Sequence, residues 1–466
     1  MARQKHRLSI RFATFWAALL FVFIWRHGAP AAEPSARNVI LMIGDGMGPA
    51  HVQLTADYAG RPLVMTTLPA QGALRTESAS HAVTDSAAAA TALACGRKTN
   101  NGMLGQLPDG TKLVSLAELA RDSGRRVGLL TSVAINDATP AAFYAKVRAR
   151  SSFYEVGLMA LASRFDVLGG LTFSDAEGAN YPRRPAVSLW EQATAAGYTI
   201  ARAPAELRAC VPGAGRYLII PEKLYAETGA PYARTFDPER DITLAQMTSK
   251  TLELLENPVG FFLMVEGGAI DRAAHANDTM GIIAETLAFD EAVAAARAFA
   301  ESSPGTLLVV TADHETGGLH LRDGYNGDRA RTLFAKQALS RTALGEWLSG
   351  YVKEMEGRPE GEWQMAKHQM AAQLGISGEA LSDLEKSYRR LVEAPPDQRG
   401  DMAAALARAV VARRDETLGI QWTTSGHTAT PVPLFALGPG AERFAGTQDN
   451  TQVFVHIKAL MFSPEP

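Results

Sequence analysis

The chain has 466 residues, of which 47% are hydrophobic and 20% are charged, and this is the balance of an ordinary globular protein. Its length allows one large core with an insertion, or two to three domains. Only two cysteines occur, Cys95 and Cys210, so the chain is not a disulfide scaffold, and the sequence does not decide whether they pair.

The N-terminal segment has the pattern of a secretory signal peptide. A basic start precedes an apolar run over residues 12–25, and Ala29-Pro30-Ala31 then matches a cleavage site. We expect residues 1–31 to be removed and the mature protein to be periplasmic or secreted, without a stable membrane anchor. The run is short for a membrane span, so an uncleaved anchor is the lesser alternative. Cleavage removes only basic charges and leaves an acidic protein, which argues against a nucleic-acid-binding surface.

From residue 37 to about residue 320, continuous apolar runs alternate with helical stretches. Strands buried on both faces and alternating with helices predict an α/β fold, a doubly wound and mostly parallel sheet with helices on both faces. The predicted strands are 39–43, 127–130, 261–265 and 306–310, and the helices between them include 115–122, 244–256 and 282–300.

The pattern changes near residue 323. From there to about residue 421 the sequence is amphipathic and helical, with no convincing strand. A strand over 433–438 and a last helix over 449–461 then resume the first pattern. We therefore predict one α/β domain over residues 33–325 and 421–466, interrupted by a helical insertion over residues 326–420.

Ser86 directly opens an alanine-rich helix after the turn Thr84-Asp85. A helix N-terminus offers unpaired N–H groups and a partial positive charge, which suit a nucleophile that receives an anionic phosphoryl or acyl group. An isolated serine in this position is usually a plain helix cap. Here, however, clusters of acidic and histidine residues lie at the ends of other apolar runs.

These clusters follow the predicted strands or, for the last of them, precede the final strand. Each alone has a simple explanation as a turn, a helix cap or an ion pair. A parallel sheet brings its strand ends to one edge, where uncompensated carboxylates would repel and bound divalent cations would hold them together. Imidazole with carboxylate suits zinc, and an all-oxygen set suits magnesium. The clustered residues are Asp45, Asp137, Thr139, Glu266, Asp271, His275, Asp313, His314 and His427.

The chain resembles the alkaline phosphatase family over about residues 38–320 and from residue 421 to the end. The resemblance rests on six motifs in the order of the family: Ile43-Gly44-Asp45-Gly46-Met47-Gly48, Thr84-Asp85-Ser86-Ala87, Asp137-Ala138-Thr139-Pro140-Ala141, Val265-Glu266-Gly267-Gly268 with Asp271 and His275, Thr311-Ala312-Asp313-His314, and Gly426-His427-Thr428.

The resemblance implies a site with two zinc ions and one magnesium ion. The implied ligands are Asp271, His275 and His427 for one zinc, Asp45, Asp313 and His314 with the Ser86 oxygen for the other, and Asp45, Thr139 and Glu266 for magnesium. Arg150 matches the arginine that grips phosphate, and Arg148 is its close competitor. Asp137 and Arg272 match supporting positions that vary within the family, and Asp85 either supports Arg150 or caps the helix.

The activity implied is hydrolysis of small phosphomonoesters through a phosphoserine on Ser86. A phosphodiesterase of the same superfamily is one alternative, although the presence of Thr139 with Glu266 argues against it. A sulfatase would need an arginine that Ser86-Ala87-Ala88-Ala89-Ala90 lacks. A protein that binds zinc or phosphate without catalysis is the alternative of a different class. The physiological substrate, the role of the insertion and whether the chain forms a homodimer stay open.

Overall fold

A computed structural model of the chain describes residues 35–182, 186–221, 241–337, 341–355 and 362–462. The predicted signal peptide, residues 1–31, lies outside these described residues. Within them, no helix combines the length and the apolar character that crossing a bilayer requires.

The strands of the described chain run in the following order: β1 (Asn38–Gly44), β2 (Ala70–Arg75), β3 (Arg126–Thr131), β4 (Val167–Gly169), β5 (Tyr198–Ala201), β6 (Arg216–Ile219), β7 (Phe261–Glu266), β8 (Thr306–Ala312), β9 (Glu315–Thr316), β10 (Leu319–Leu321), β11 (Ile420–Trp422), β12 (His427–Thr428), β13 (Val432–Leu437) and β14 (Gly446–Asp449).

The α-helices of the described chain are α1 (Pro49–Ala59), α2 (Ser86–Cys95), α3 (Leu116–Asp122), α4 (Ala138–Ala141), α5 (Phe153–Ala162), α6 (Leu189–Ala195), α7 (Pro204–Ala209), α8 (Leu244–Leu255), α9 (Ala269–His275), α10 (Thr279–Ser302), α11 (Gly327–Phe334), α12 (Arg341–Glu354), α13 (Glu362–Leu374), α14 (Glu385–Glu393), α15 (Arg399–Leu418) and α16 (Thr451–Phe462).

A ten-stranded sheet forms the centre of the molecule, in the order β14-β2-β13-β8-β1-β7-β3-β4-β6-β5. Strand β1 pairs in parallel with β7 and β8, and β13 runs antiparallel to both β8 and β2. Because β13 is reversed, the residues before it lie at the edge where the parallel strands end. The sheet thus brings His427, which precedes β13, to the carboxyl ends of β1, β7 and β8.

Helices cover both faces of this sheet, as predicted for the α/β class. Helices α8 and α10 pack on each other and on β3 and β1, whereas α3 and α16 pack on the same strands and on α2. The two helix groups touch the same strands from opposite sides, so the central strands are buried on both faces. Strands β1, β7 and β8 have no exposed residue, which explains their continuous apolar sequences.

The predicted strands and helices are all present, with ends shifted by up to three residues. The sequence interpretation missed β2, β4, β5, β6 and β14, which are short and hold polar residues or glycine in place of long apolar runs. It also missed the two-residue strands β9 and β12, which pair antiparallel beside the sheet. Such short pairings depend on tertiary contacts and leave little trace in hydrophobic periodicity.

The stretch predicted as an insertion forms helices α11 to α15 in its described part. Residues of α12 to α15, among them Leu348, Met370, Tyr388 and Val410, make a hydrophobic core of their own. A smaller apolar cluster joins α11 and the end of α15 to α1 and α10. The division of the chain into an α/β domain and a helical insertion at residues 326 and 420 stays a prediction.

Both cysteines are buried free thiols. Cys95 is the last residue of α2, and Cys210 follows α7. Burial raises the pKa of the Cys95 thiol to about 12, so this side chain acts as a small apolar group in the core.

We predict that Leu308→Ala destabilises the α/β core. Leu308 is fully buried in β8, between Ile40 of β1 and Leu437 of β13, so its truncation leaves a cavity that the rigid sheet cannot close. The expected loss is about 2–5 kcal/mol of unfolding free energy, measured by urea denaturation. Val455→Ala, on the exposed side of α16, is the control and should leave the midpoint nearly unchanged.

Candidate active site

Three acidic side chains lie buried where neighbouring strands of the sheet end. Asp45 follows β1 on a glycine turn, Glu266 ends β7, and Asp313 follows β8. Their residues are 7%, 1% and 0% exposed. Parallel pairing of β1 with both neighbours fixes this juxtaposition, since Ile43 lies opposite Glu266 and Gly44 lies opposite Ala312.

Ser86 lies at the N-terminus of α2 and faces this acidic edge. Asp85 is the N-cap residue and accepts a 3.0 Å hydrogen bond from the Ala88 N–H. Every residue of α2 is buried, because alanines on all sides let neighbouring elements approach closely. The Ser86 hydroxyl lies 3.2 Å from Nε2 of His314.

A chain of hydrogen bonds sets the protonation of the His314 ring. The Thr316 hydroxyl donates to Oδ1 of Asp271 at 2.6 Å, so its oxygen can accept a hydrogen bond from Nδ1 of His314 at 3.2 Å. The Nε2 lone pair of His314 is then directed to Ser86. It also lies 3.3 Å from Oδ2 of Asp313 and 3.5 Å from Oδ1 of Asp45.

His275 and His427 face each other through their Nε2 atoms. Nδ1 of His275 lies 2.6 Å from the carbonyl of Ser425, and Nδ1 of His427 lies 2.9 Å from the carbonyl of Thr84. Each Nδ1 therefore carries the proton and donates it. The two Nε2 atoms lie 3.2 Å apart, and Nε2 of His275 is also hydrogen-bonded to Asp271, so a cation at this point would take the place of the His275 proton.

Pairing of β9 with β12 brings the last histidine to the others. His427 lies opposite Thr316 in this pairing, and its ring stacks on that of His314 with centroids 3.6 Å apart. Asp271 completes the group, with Oδ2 at 3.2 Å from Nε2 of His275 and Oδ1 at 3.7 Å from Nε2 of His427.

Two sets of side chains among the described residues have the spacing of metal ligands. One is Asp271, His275 and His427, and the other is Asp45, Asp271 and His314. The first matches a predicted zinc set in full. In the second, Asp271 takes the place predicted for Asp313, whose Oδ2 faces the same His314 nitrogen.

The predicted magnesium set is buried nearby. The Thr131 hydroxyl donates a short hydrogen bond to Glu266. The Thr139 hydroxyl, Oδ1 of Asp45 and Oδ2 of Asp313 are buried and have no hydrogen-bond partner among the described residues. Unsatisfied buried oxygens are costly, so this group of oxygens fits a cation.

Burial dominates the electrostatics of the acids at this edge. Loss of hydration raises the pKa of Asp45 well above its usual value, the pKa of Glu266 to about 8 and the pKa of Asp313 to about 7. Burial also lowers the pKa of His314 to about 4, which keeps its ring neutral. Burial opposes the charged form of Asp271, but the hydrogen bond from His275 holds the Asp271 pKa well below its usual range. A bound cation would therefore stabilise the ionised forms of these acids.

Arg150 is held by two acids, one of which is Asp85, the residue before Ser86. Its guanidinium lies 2.9 Å from Oδ1 of Asp137 and 3.5 Å from Oδ2 of Asp85. Asp85 therefore both caps α2 and supports Arg150, which unites the two roles left open by the sequence. Arg272 approaches Oδ2 of Asp137 at 3.9 Å and is 54% exposed. Arg148 lies elsewhere, near Gly110.

The sequence analysis assigned no role to several residues of the site. Thr316 joins His314 to Asp271, and Thr131 binds Glu266. Glu315 accepts hydrogen bonds from Thr428 and from backbone N–H groups, and thereby braces the β9–β12 pair. The position of Glu315 directly after Asp313-His314 could have indicated that it belongs to the site. The roles of Thr131 and Thr316 have no comparable pattern in the sequence.

Comparisons with known proteins agree with this geometry. A family model described as alkaline phosphatase matches residues 36–165 and 187–462. Alkaline phosphatase 4 of Bacillus subtilis (strain 168) is 30% identical over 425 residues, covering 89% of this chain and 86% of that protein. The streptomycin-6-phosphate phosphatase of Streptomyces griseus is 34% identical over 507 aligned positions, covering 97% of each chain.

Solved structures show the same fold. The Thermus thermophilus alkaline phosphatase superposes with a TM-score of 0.74 at 27% identity, over 94% of this chain and 95% of that one. A cold-active alkaline phosphatase from a psychrophilic Shewanella sp. gives a TM-score of 0.72 at 29% identity, over 91% and 99%. With the family model and full-length relatives in agreement, the chain belongs to the alkaline phosphatase family and is a phosphomonoesterase.

Proposed function

We propose that the chain is a secreted or periplasmic alkaline phosphatase that hydrolyses small phosphate monoesters through a phosphoserine on Ser86, with two zinc ions and one magnesium ion. The observation that carries the proposal is that Nε2 of His314 contacts the Ser86 hydroxyl and buried carboxylates, while Nε2 of His275 and Nε2 of His427 meet beside Asp271. Secretion rests on the signal-peptide pattern of residues 1–31.

The donor chemistry supports the choice of metals. Nitrogen and carboxylate donors suit zinc, which would be held by Asp271, His275 and His427 and by Asp45, Asp313 and His314. Asp271 belongs to both groups of closely spaced donor atoms. An oxygen-only set, made of Asp45, Thr139 and Glu266, suits magnesium. Divalent cations held by these ligands would lower the pKa of hydroxyl and water oxygens and would neutralise phosphoryl charge.

The reaction at Ser86 has two displacements. The Ser86 hydroxyl gives its proton to solvent and its Oγ forms a bond to phosphorus while the bond from phosphorus to the alcohol oxygen breaks, and the departing alkoxide takes a proton from water. Water then attacks the phosphoserine, so that phosphate leaves and the Ser86 hydroxyl is restored. The N-terminus of α2 stabilises the negative charge beside Ser86. Arg150 can bind two phosphoryl oxygens with its planar fork while Asp137 and Asp85 hold it in place.

The charge of the site favours monoesters over diesters. Phosphoryl transfer depends mainly on positioning and on neutralising charge. Two zinc ions and Arg150 match a dianionic monoester better than a monoanionic diester. A phosphodiesterase of the same superfamily is therefore the second candidate, and the choice between the two is directly testable.

The first prediction concerns substrate class and metal dependence. Purified mature protein should hydrolyse p-nitrophenyl phosphate much faster than bis-p-nitrophenyl phosphate, as followed by release of nitrophenolate. A chelator should abolish this activity, and zinc with magnesium should restore it, because the ligand sets need cations to hold the substrate. Faster turnover of the diester would assign the chain to the phosphodiesterases.

The second prediction concerns the nucleophile. Ser86→Ala removes the attacking oxygen but no histidine or carboxylate, so kcat for p-nitrophenyl phosphate should fall at least about a thousandfold while the metal content stays the same. Metal is measured by mass spectrometry on the same preparation. Ser302→Ala, which removes an exposed hydroxyl at the end of α10, should behave as wild type. Wild-type turnover in the Ser86 variant would rule out the nucleophile assignment.

The third prediction concerns one zinc site. His427→Ala removes one of three ligands, so the protein should lose about one zinc per chain on dialysis and hydrolyse its phosphoserine more slowly. Zinc content and single-turnover kinetics measure the two effects. His368→Ala, at an exposed position of α13, is the control. Unchanged zinc content in the His427 variant would remove it from the ligand set.

A further inference from the structure

A buried ion pair lies where the helical insertion meets the α/β domain. Arg414 and Asp415, near the end of α15, are 0% and 1% exposed. Arg414 donates from Nε and Nη2 to Oδ1 of Asp415 at 2.8 and 2.6 Å. Its Nη1 donates to Gln337, and its guanidinium lies 4.8 Å from the centre of the Phe334 ring. The pair is thus fixed on the side of the insertion.

The second oxygen of Asp415 points away from the insertion. Oδ2 accepts a short hydrogen bond from the Thr279 hydroxyl and a 3.4 Å hydrogen bond from Nε1 of Trp422. The same Trp422 N–H lies 3.3 Å from the Thr279 oxygen, so the three groups form a closed triangle. Removing the carboxylate would leave the buried Thr279 hydroxyl without its acceptor and the Trp422 N–H with the Thr279 oxygen alone, which is costly.

Each hydrogen-bond partner of Asp415 lies close in the sequence to a predicted zinc ligand. Thr279 opens α10, four residues after His275 ends α9. Trp422 ends β11, and the segment that follows it provides the Ser425 carbonyl for His275 and then His427 itself. The triangle therefore joins the two chain segments whose histidines face each other.

Additional contacts keep the segment after Trp422 rigid. The Trp422 ring packs so closely on Gly317 that a Cβ there would meet ring carbons at 2.4 and 2.6 Å. The N–H groups of Thr423 and Thr424 donate to the Gly317 carbonyl, and the Gly317 N–H donates to Gly426. A displacement of Trp422 would therefore also displace His427.

We propose that Asp415 of the insertion is a positioning residue for the zinc ligands His275 and His427, acting through Thr279 and Trp422. The inference rests on the proposed function, since it assumes that these histidines hold zinc. It gives the insertion a role in the site although none of its side chains belongs to the ligand sets. Supporting groups around a metal site typically change metal affinity about 10–100-fold when they are removed.

The test compares zinc affinities of full-length variants by competition with a chromophoric chelator. Thr279→Val keeps the shape and removes the hydroxyl, and we expect one of the two zinc ions to bind about tenfold more weakly. Thr279→Ser restores the hydroxyl and should restore the affinity. Trp422→Phe keeps the ring and removes the N–H, so it provides a second variant if Thr279→Val folds poorly. For both weakened variants, excess zinc should return kcat to its wild-type value.

A matched control separates positioning from general stability. Arg413 is the neighbour of Arg414 in α15, but its side chain is 37% exposed and pairs with Asp383 and Glu416 within the insertion. Arg413→Ala should leave both zinc affinities unchanged. Equal zinc affinity in wild type, Thr279→Val and Trp422→Phe would overturn the proposal while leaving the proposed function intact. A wild-type protein without zinc at His275 and His427 would overturn both.

Discussion

The site depends on one electrostatic constraint, which is that the central sheet buries several carboxylates at a single edge. Asp45, Glu266 and Asp313 end adjacent parallel strands and are almost fully removed from water. Burial alone would favour their neutral forms, so the arrangement is stable in its charged form only when positive charge is present. The same parallel geometry that makes a strong core thus creates a place where a bound cation would stabilise the ionised acids.

The groups around the carboxylates give the site a defined geometry. Backbone carbonyls of Ser425 and Thr84 fix the protons of His275 and His427, and Thr316 does the same for His314. Each ring is therefore held with Nδ1 occupied and Nε2 facing the site, before any ligand arrives. The groups that orient the histidine rings belong to loops and two-residue strands. The main sheet, in contrast, supplies the carboxylates and therefore the charge of the site.

Much of the fold and the candidate site could be predicted from the sequence because the relevant signals are local. Strand β1 has a continuous apolar sequence and ends at Asp45, so both the strand and its acidic end are visible in one short segment. Thr316 and Trp422 gave no such signal. Their importance comes from partners that are distant in the chain, as with Asp415 and Thr279, which are 136 residues apart. Hydrophobic periodicity carries no information about such pairings.

The helix that carries Ser86 has a further consequence for dynamics. All ten residues of α2 are buried, so its amide hydrogens can exchange with solvent only when the surrounding core opens. The serine thus sits in a slowly exchanging unit, whereas Arg272 and His275 project from more accessible positions. Of these groups, the serine oxygen is the one held on a rigid element, and the Arg272 and His275 side chains are those with room to move.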